Sequence, residues 1–296
     1  MLQIERILCP IDFSEFSVDA YAYAQSLAWH YKATLFLQHV IQTLGLWYPD
    51  YAFPQPYIDI CGELRADAER QLQHFAKTNS RCGVQARCVV QDGATSDAIL
   101  SLAKDEAVNL IVMGTHGLRG VDHLMLGSVT EQVLRKAQCP VLAVRKPPHG
   151  FVTQAGTPDL IHLERILCCT DSADEPGAAW NHAVSLAEEY GAHLTLLHVL
   201  ENISSSSDIE DETAKVLERL EKQTSPFAYK NVVKPAARIG KPYQQIVELA
   251  LESKTDLIVM GVRGRKALDL KIFGSTTYRV VQLGPCPVLV VHPGRG

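Results

Sequence analysis

The feature that most constrains the fold is a glycine-rich segment that occurs twice, each time between a strand-like and a helix-like run. After the apolar run Leu110–Met113, the spacing Gly-x2-Gly-x9-Gly-Ser is made by Gly114, Gly117, Gly127 and Ser128. After Leu257–Met260, the same spacing is made by Gly261, Gly264, Gly274 and Ser275. Glycine lets a backbone pass close to a ligand or adopt positive φ, and a helix N-terminus offers N–H groups to an anion. The repeated spacing therefore predicts two phosphate-binding loops.

The repeat extends to nearly the whole of each half. Residues 5–12 match 164–171, residues 35–40 match 194–199, and residues 139–144 match 286–291. A period of about 150 residues far exceeds the roughly 20–50 residues of solenoid repeats, so the chain contains a duplicated domain. We expect a first domain over 1–146, a linker with Pro and Gly signals over 147–162, and a second domain over 163–296.

Within each half, short apolar runs alternate with helical patterns. The first half predicts strands near 4–11, 34–40, 84–91, 109–113 and 140–145, and helices near 15–31, 58–79, 95–107 and 128–137. The second half predicts strands near 163–169, 192–199, 231–238, 256–260 and 287–292. This order indicates an α/β fold of two tandem, open, parallel five-stranded sheets with helices on both faces.

Ligands of such sheets bind beyond the carboxyl ends of the strands, near the switch point. Asp12, Val40 and Gly114 all follow or end strands, so we expect them to line one edge together. The same holds in the second half for Asp171, Val199 and Gly261.

Bulk properties exclude several classes of function. A net charge of −5 and a pI of about 6.1, with no basic run, argue against a nucleic-acid surface. The longest apolar runs fall short of the roughly 20 residues that a membrane helix needs, and no signal-peptide pattern is visible at the N-terminus. The sequence thus predicts a cytoplasmic protein without membrane or nucleic-acid partners.

The cysteines and histidines do not have the spacing of a zinc site. Five cysteines lie in or beside strand-like runs, where we expect small buried hydrophobes and keep a redox or metal role as the alternative: Cys9, Cys139, Cys168, Cys169 and Cys286. His39 and His198 end matching strands and are expected to be structural.

In combination, these residues resemble the universal stress protein family in its tandem two-domain form. The resemblance covers essentially the full chain and rests on the Pro10–Ser14 strand end, the Leu-Ile-Val-Met-Gly steps, both glycine motifs and the Cys-Pro-Val-Leu terminal strands. It implies an adenine nucleotide alpha-hydrolase-like fold. Family members with the glycine motif generally bind ATP, so the resemblance implies ATP as ligand in both halves, with Mg²⁺ as a possible companion of the phosphates.

The resemblance also implies a role for each position. The main chain around Val40 and Val199 meets the adenine edge, and Asp12 and Asp171 approach the ribose. Gly114 and Gly117, with Gly261 and Gly264, wrap the ribose and phosphates, and the Gly-Ser pairs at 127–128 and 274–275 hold the outer phosphates. Met113 and Met260, at the strand ends, complete the candidate set, although their side chains favour the core. The resemblance further implies that the terminal strands pair the two halves, followed by dimerisation of whole chains.

Simpler interpretations stay open. Asp12 alone equally fits a helix cap, and Gly114 alone fits a turn residue. The sequence contains no Walker motif, no His-Glu-x-x-His and no Gly-x-Ser-x-Gly, so we expect a nucleotide-binding stress-response protein with at most slow ATP hydrolysis. The alternatives are a nucleotide-free interaction module and an adenylating or ATP-hydrolysing enzyme. The enzyme alternative predicts a glycine-rich loop after the first strand, and this chain lacks such a loop.

The halves differ around the repeated motif. The segment 44–57 is rich in aromatics and proline, whereas its counterpart at 201–210 is polar. The aromatic segment fits a ligand cap, a subunit contact or packing on its own domain. Only the second motif contains a cluster of basic residues, made by Arg263, Arg265 and Lys266. This cluster fits either a phosphate contact or a solvated basic turn. The two sites need not be equivalent, and the first half is the stronger candidate for nucleotide binding.

Overall fold

The computed structural model describes residues 3–42, 55–81, 83–116, 125–145, 151–152, 161–171, 177–201, 206–227, 233–262 and 274–292. The first half contains β1 (Arg6–Ile11), α1 (Glu15–Tyr31), β2 (Thr34–Ile41), α2 (Gln55–Thr78), β3 (Ala86–Asp92), α3 (Thr95–Asp105), β4 (Leu110–Gly114), α4 (Ser128–Lys136) and β5 (Val141–Val144). The second half contains β6 (Arg165–Thr170), α5 (Gly177–Tyr190), β7 (His193–Leu200), α6 (Ser206–Thr224), β8 (Val233–Ile239), α7 (Pro242–Glu252), β9 (Leu257–Gly261), α8 (Ser275–Leu283) and β10 (Val288–Val291). The predicted alternation of strands and helices is confirmed.

The two predicted five-stranded sheets join into one sheet of ten strands. Its order is β3-β2-β1-β4-β5-β10-β9-β6-β7-β8, and every neighbouring pair is parallel except β5 and β10. Those two strands run antiparallel, with Leu142 opposite Leu289. All four residues of each strand are buried. An apolar sheet edge exposes unpaired backbone groups, and pairing β5 with β10 satisfies the edges of both halves at once. The intrachain pairing that the resemblance implied is confirmed.

Helices cover both faces of the sheet. Because successive side chains of a strand point to opposite faces, each strand supplies both layers: Ile7 and Leu110 face one cluster, and Leu8 and Ile111 face the other. The first cluster packs against α1, α2, α5 and α6, and the second packs against α3, α4, α7 and α8. Both clusters contain residues of both halves. Among the helices in the described parts of the chain, none combines the length and hydropathy of a membrane span.

The described ends of the predicted linker pack onto the sheet layers. Val152 and Ile161 form an antiparallel bridge, and the His162 N–H donates to the Phe151 carbonyl at 2.8 Å. Phe151 is buried and meets the Tyr23 ring edge-on, with centroids 4.8 Å apart. These contacts anchor the linker ends beside α1.

Candidate functional site

The carboxyl edge of each half brings the predicted residues together. β1 pairs with β2 on one side and with β4 on the other, so the strand order reverses between β1 and β4. Asp12 directly follows β1, Val40 lies near the end of β2, and Gly114 ends β4. In the second half, β6 lies between β7 and β9, and the ends of these strands bring Asp171, Val199 and Gly261 to an equivalent edge. Both edges are switch points of the kind where α/β sheets bind ligands.

In the first half, the two ends of the glycine loop are hydrogen-bonded to each other. The Thr115 N–H donates to the Val144 carbonyl at 3.0 Å, and the Gly127 N–H donates to the Thr115 carbonyl at 2.9 Å. The Thr130 hydroxyl, in the first turn of α4, donates to the Gly114 carbonyl at 2.8 Å. These bonds hold the start of α4 directly against the end of β4.

The second half repeats this hydrogen-bonding pattern. The Val262 N–H donates to the Val291 carbonyl at 3.0 Å, the Gly274 N–H donates to Val262 at 3.3 Å, and the Thr277 hydroxyl donates to Gly261 at 3.0 Å. Sequence reasoning missed Thr130 and Thr277. The signal was present, since a threonine stands three residues after the last glycine of the motif in both copies.

Glycine occupies the N-cap position of both helices. Gly127 has φ −60° and ψ 136°, and Gly274 has φ −60° and ψ 127°. An N-cap side chain normally accepts a hydrogen bond from the first turn, as Ser14 does from the Ser17 N–H in α1. Glycine has no such side chain, so the first-turn N–H groups of α4 and α8 receive no cap from this position. Together with the exposed hydroxyls of Ser128 and Ser275, they suit an anion.

Neither Gly114 nor Gly127 adopts positive φ. Glycine is favoured at both positions because neighbouring backbone atoms lie close to where a Cβ would be. A Cβ at Gly114 would lie 3.0 Å from the Phe16 Cβ and 3.1 Å from the Phe16 carbonyl oxygen. A Cβ at Gly127 would lie 3.3 Å from the Thr115 carbonyl oxygen. The turn interpretation of Gly114 is therefore not supported, and packing of α1 against β4 accounts for this glycine. Gly117, Gly264, Arg263, Arg265, Lys266 and most of the aromatic segment lie outside the described residues.

Asp12 is part of the start of α1. Its Oδ1 accepts hydrogen bonds from the Ser14 N–H at 3.1 Å, the Ser14 hydroxyl at 2.6 Å and the Ser17 hydroxyl at 2.6 Å. Between them, Phe13 adopts φ +65°, a left-handed conformation that is uncommon for a bulky residue. The helix-start interpretation of Asp12 thus has direct support. Asp171 is exposed, and the residues aligned with Ser14 and Ser17 are Ala173 and Pro176, which have no hydroxyl to donate.

The two strand-end histidines have the expected structural role. His39 Nδ1 donates to the Ile11 carbonyl at 3.0 Å, and His198 Nδ1 donates to the Thr170 carbonyl at 3.1 Å. In each half the ring of one strand therefore holds the end of the neighbouring strand, immediately before Asp12 or Asp171.

Met113, Met260 and three of the five strand cysteines are packing residues in the structure, whereas Cys139 and Cys169 are only partly buried. Met113 and Met260 are 4% and 5% exposed and belong to the core, so only their main chain reaches the edge. Cys9, Cys168 and Cys286 are buried. Burial raises the pKa of Cys168 to about 12, which keeps that thiol protonated and unreactive at neutral pH. Within the described ranges, no three His, Cys, Asp or Glu residues are grouped to hold a metal ion.

Comparison with known proteins gives consistent matches over both halves. Residues 3–145 and 162–292 match the sequence model of the Universal stress protein family. Universal stress protein YxiE of Bacillus subtilis is 34% identical over 47% of this chain and 98% of its own length. A universal stress protein of Mycolicibacterium smegmatis is 25% identical over 97% of each chain. The crystal structure of a universal stress protein from Archaeoglobus fulgidus shares the fold, with a TM-score of 0.68 at 23% identity, covering 98% of this chain and 97% of its own.

Proposed function

Since the chain belongs to the universal stress protein family, we propose that it acts in the stress response by binding ATP at the carboxyl edge of each half. The phosphates would lie at the N-terminus of α4 in one half and of α8 in the other. The observation that carries the proposal is the repeated junction of a strand-ending glycine, a glycine N-cap and an exposed serine. Glycine at the N-cap position leaves these helices without a side chain there that could accept their first-turn N–H groups.

The electrostatics of the two junctions favour an anion. A helix N-terminus carries the equivalent of about half a positive charge. Glu131 lies in the first turn of α4, but the Arg135 guanidinium contacts its carboxylate at 2.8 Å and offsets that charge. The aligned residue in α8 is Tyr278, and that helix has no acidic residue in its first turn. Mg²⁺, if it accompanies ATP, would be held mainly by phosphate oxygens and water.

The remaining candidate residues would position the nucleoside. Main-chain groups around Val40 and Val199 flank the switch point, and Asp12 and Asp171 follow the adjacent strands. Gly114 and Gly261, with Gly117 and Gly264, would pass close to the ribose and phosphates.

Ser128→Glu tests the phosphate position with opposite effects on binding and stability. A carboxylate at the first residue of α4 interacts favourably with the helix dipole, so the free energy of unfolding should stay constant or rise by about 0.5 kcal/mol. The same carboxylate repels phosphate, so ATP affinity at that site should fall at least about tenfold. Isothermal titration should then detect about one ATP per chain in place of about two, since the second site is unchanged.

Ser275→Glu is the matched variant, and the double variant should bind no ATP. Ser128→Ala is the neutral control, because it keeps the backbone N–H groups and should weaken ATP binding by only about threefold. Unchanged ATP affinity in a stably folded double variant would contradict the proposed phosphate positions. Absence of ATP binding by the parent protein, with no nucleotide retained on purification, would refute the function itself.

A nucleotide-free interaction module is the second candidate, and two observations favour it. Gly114 is required by the approach of Phe16, and Asp12 is engaged by Ser14 and Ser17. Both residues therefore have structural roles that do not depend on a ligand. The ATP titration of the parent protein separates the two candidates.

A further inference from the structure

A cavity of about 300 Å³ lies where the C-terminal turns of α1 and α5 meet over the centre of the sheet. Three pairs of leucines at equivalent positions of the two halves line it: Leu27 and Leu186, Leu110 and Leu257, and Leu142 and Leu289. None of the described candidate nucleotide-binding residues contributes to its lining. The cavity is therefore separate from both glycine junctions.

The two halves do not contribute equally to this cavity. Tyr23 of α1 aligns with His182 of α5. Tyr23 packs edge-on against Phe151, whereas His182 and Phe151 both line the cavity. The space is partly open to solvent, and its volume is in the range of small-molecule sites.

The lining defines the chemistry of an occupant. It is mostly aliphatic, and no Lys, Arg, Asp or Glu stands among the described residues that form it. A charged ligand would lose its hydration there without a counter-ion. The exposed Gln3 and Gln138 lie at its margin and offer a route from solvent.

Tyr190 provides a polar group at the cavity wall. Its hydroxyl is buried beside Tyr31, another residue of the wall, and a side-chain hydrogen bond between the two tyrosines acts on the Tyr190 pKa together with the larger effect of burial. Burial raises that pKa above its ordinary value, so the hydroxyl stays protonated at neutral pH. A phenol hydroxyl can donate one hydrogen bond and accept others, so the Tyr190 hydroxyl keeps capacity for a ligand beside Tyr31.

We propose that this cavity binds a neutral, mainly apolar small molecule of about two fused rings that carries one hydrogen-bonding group directed at Tyr190. The size follows from comparison with an engineered apolar cavity of about 150 Å³ that binds benzene. The site would let a second, uncharged ligand contact both halves at their junction.

The test uses 2-naphthol as probe and 2-naphthoate as its charged counterpart, each titrated calorimetrically into the full chain. We expect 2-naphthol to bind with a dissociation constant on the order of 100 µM. The carboxylate should bind at least about tenfold more weakly. Lack of 2-naphthol binding at millimolar concentration, or equal binding of the two probes, would overturn the proposal.

Three variants locate the bound probe. Leu186→Trp fills the cavity and should abolish 2-naphthol binding, whereas Leu186→Met conserves volume and should keep it. Tyr190→Phe keeps the ring and should weaken 2-naphthol by about three- to tenfold while leaving naphthalene binding unchanged. If Leu186→Trp does not fold, the Tyr190→Phe comparison decides. Undiminished 2-naphthol affinity in Tyr190→Phe, or in a folded Leu186→Trp protein, would assign the probe to another place.

Discussion

The two halves share one fold but carry different residues where they meet each other. Positions 30 and 189 are equivalent in the repeat, and they face each other across the junction: His30 Nε2 lies 2.7 Å from Glu189 Oε1. Tyr31, the next residue of α1, joins this contact, since its hydroxyl donates to Glu189 Oε2 at 3.1 Å. In a dimer of identical domains each residue near the axis would meet its own copy. Duplication within one chain allows a histidine to meet a carboxylate, which is a complementary pair.

A second comparison concerns the site edges. The hydrogen bonds that join each glycine to the following helix are the same in both halves, including those of Thr130 and Thr277. The segment after the first strand differs, because Ser14 and Ser17 are replaced by Ala173 and Pro176. The hydrogen bonds at the phosphate side of the proposed sites are thus the same in both halves, while the nucleoside side has diverged.

The largest expected effect concerns the strands that join the halves. Leu142 and Leu289 are opposite each other in β5 and β10 and are 2% and 6% exposed. Each substitution to alanine should lower the free energy of unfolding by about 3 kcal/mol, with a double-variant cost that differs from the sum by at least about 0.5 kcal/mol. Urea denaturation measures both, and Leu64→Ala, at an exposed leucine, is the control. Additive costs would indicate that the halves do not share one core here.

The first-strand aspartates should differ in their contribution to stability. Asp12→Ala removes an acceptor of three hydrogen bonds and should cost about 2 kcal/mol, whereas Asp171→Ala, at an exposed residue without counterparts of Ser14 and Ser17, should cost less. Asp12→Asn keeps an acceptor oxygen and should have an intermediate cost. Urea denaturation at neutral pH compares the three variants. Equal costs at positions 12 and 171 would show that the halves begin their first helices equivalently.

His30→Glu tests the complementary pair. The variant places two carboxylates together, and we expect a loss of about 1 kcal/mol at pH 7 and low salt. Like charges raise the pKa of one carboxyl in the folded variant, so the loss relative to His30→Gln should shrink as pH falls and that carboxyl becomes protonated. Thermal unfolding from pH 7 to pH 4 follows this trend, with His30→Gln as the uncharged control. A loss independent of both pH and salt would show that packing and not charge distinguishes the pair.

The smallest effect concerns the ends of the same two helices. Lys32, just past α1, has φ +53°, and the equivalent residue past α5 is Gly191, with φ +66°. Lys32→Gly relieves the left-handed strain but adds freedom to the unfolded chain, so a net gain of about 0.5 kcal/mol is expected. Gly191→Lys should show the reverse change in the thermal midpoint. Equal midpoints in parent and both variants would mean that the two helix ends tolerate either residue.

Much of the architecture followed from local patterns. Asp12, Val40 and Gly114 were predicted to share an edge, because parallel strands place their carboxyl ends together. The role of Gly114 was not predictable, since it depends on Phe16, which reaches it only after α1 packs on β4. The hydrogen-bond donors to Asp12 were not predictable either. Their side chains, those of Ser14 and Ser17, can point in several directions until the start of the helix has formed.

The sequence by itself determined the duplication, the order of strands and helices, and the repeated glycine spacing. These features depend on hydrophobic periodicity and on glycine, which act over short stretches of chain. Only the tertiary structure decided that Leu142 lies opposite Leu289 in the joined sheet, that His30 meets Glu189 across 159 residues, and that a cavity remains between α1 and α5. Each of these results from the packing of one complete half against the other, which no local pattern specifies.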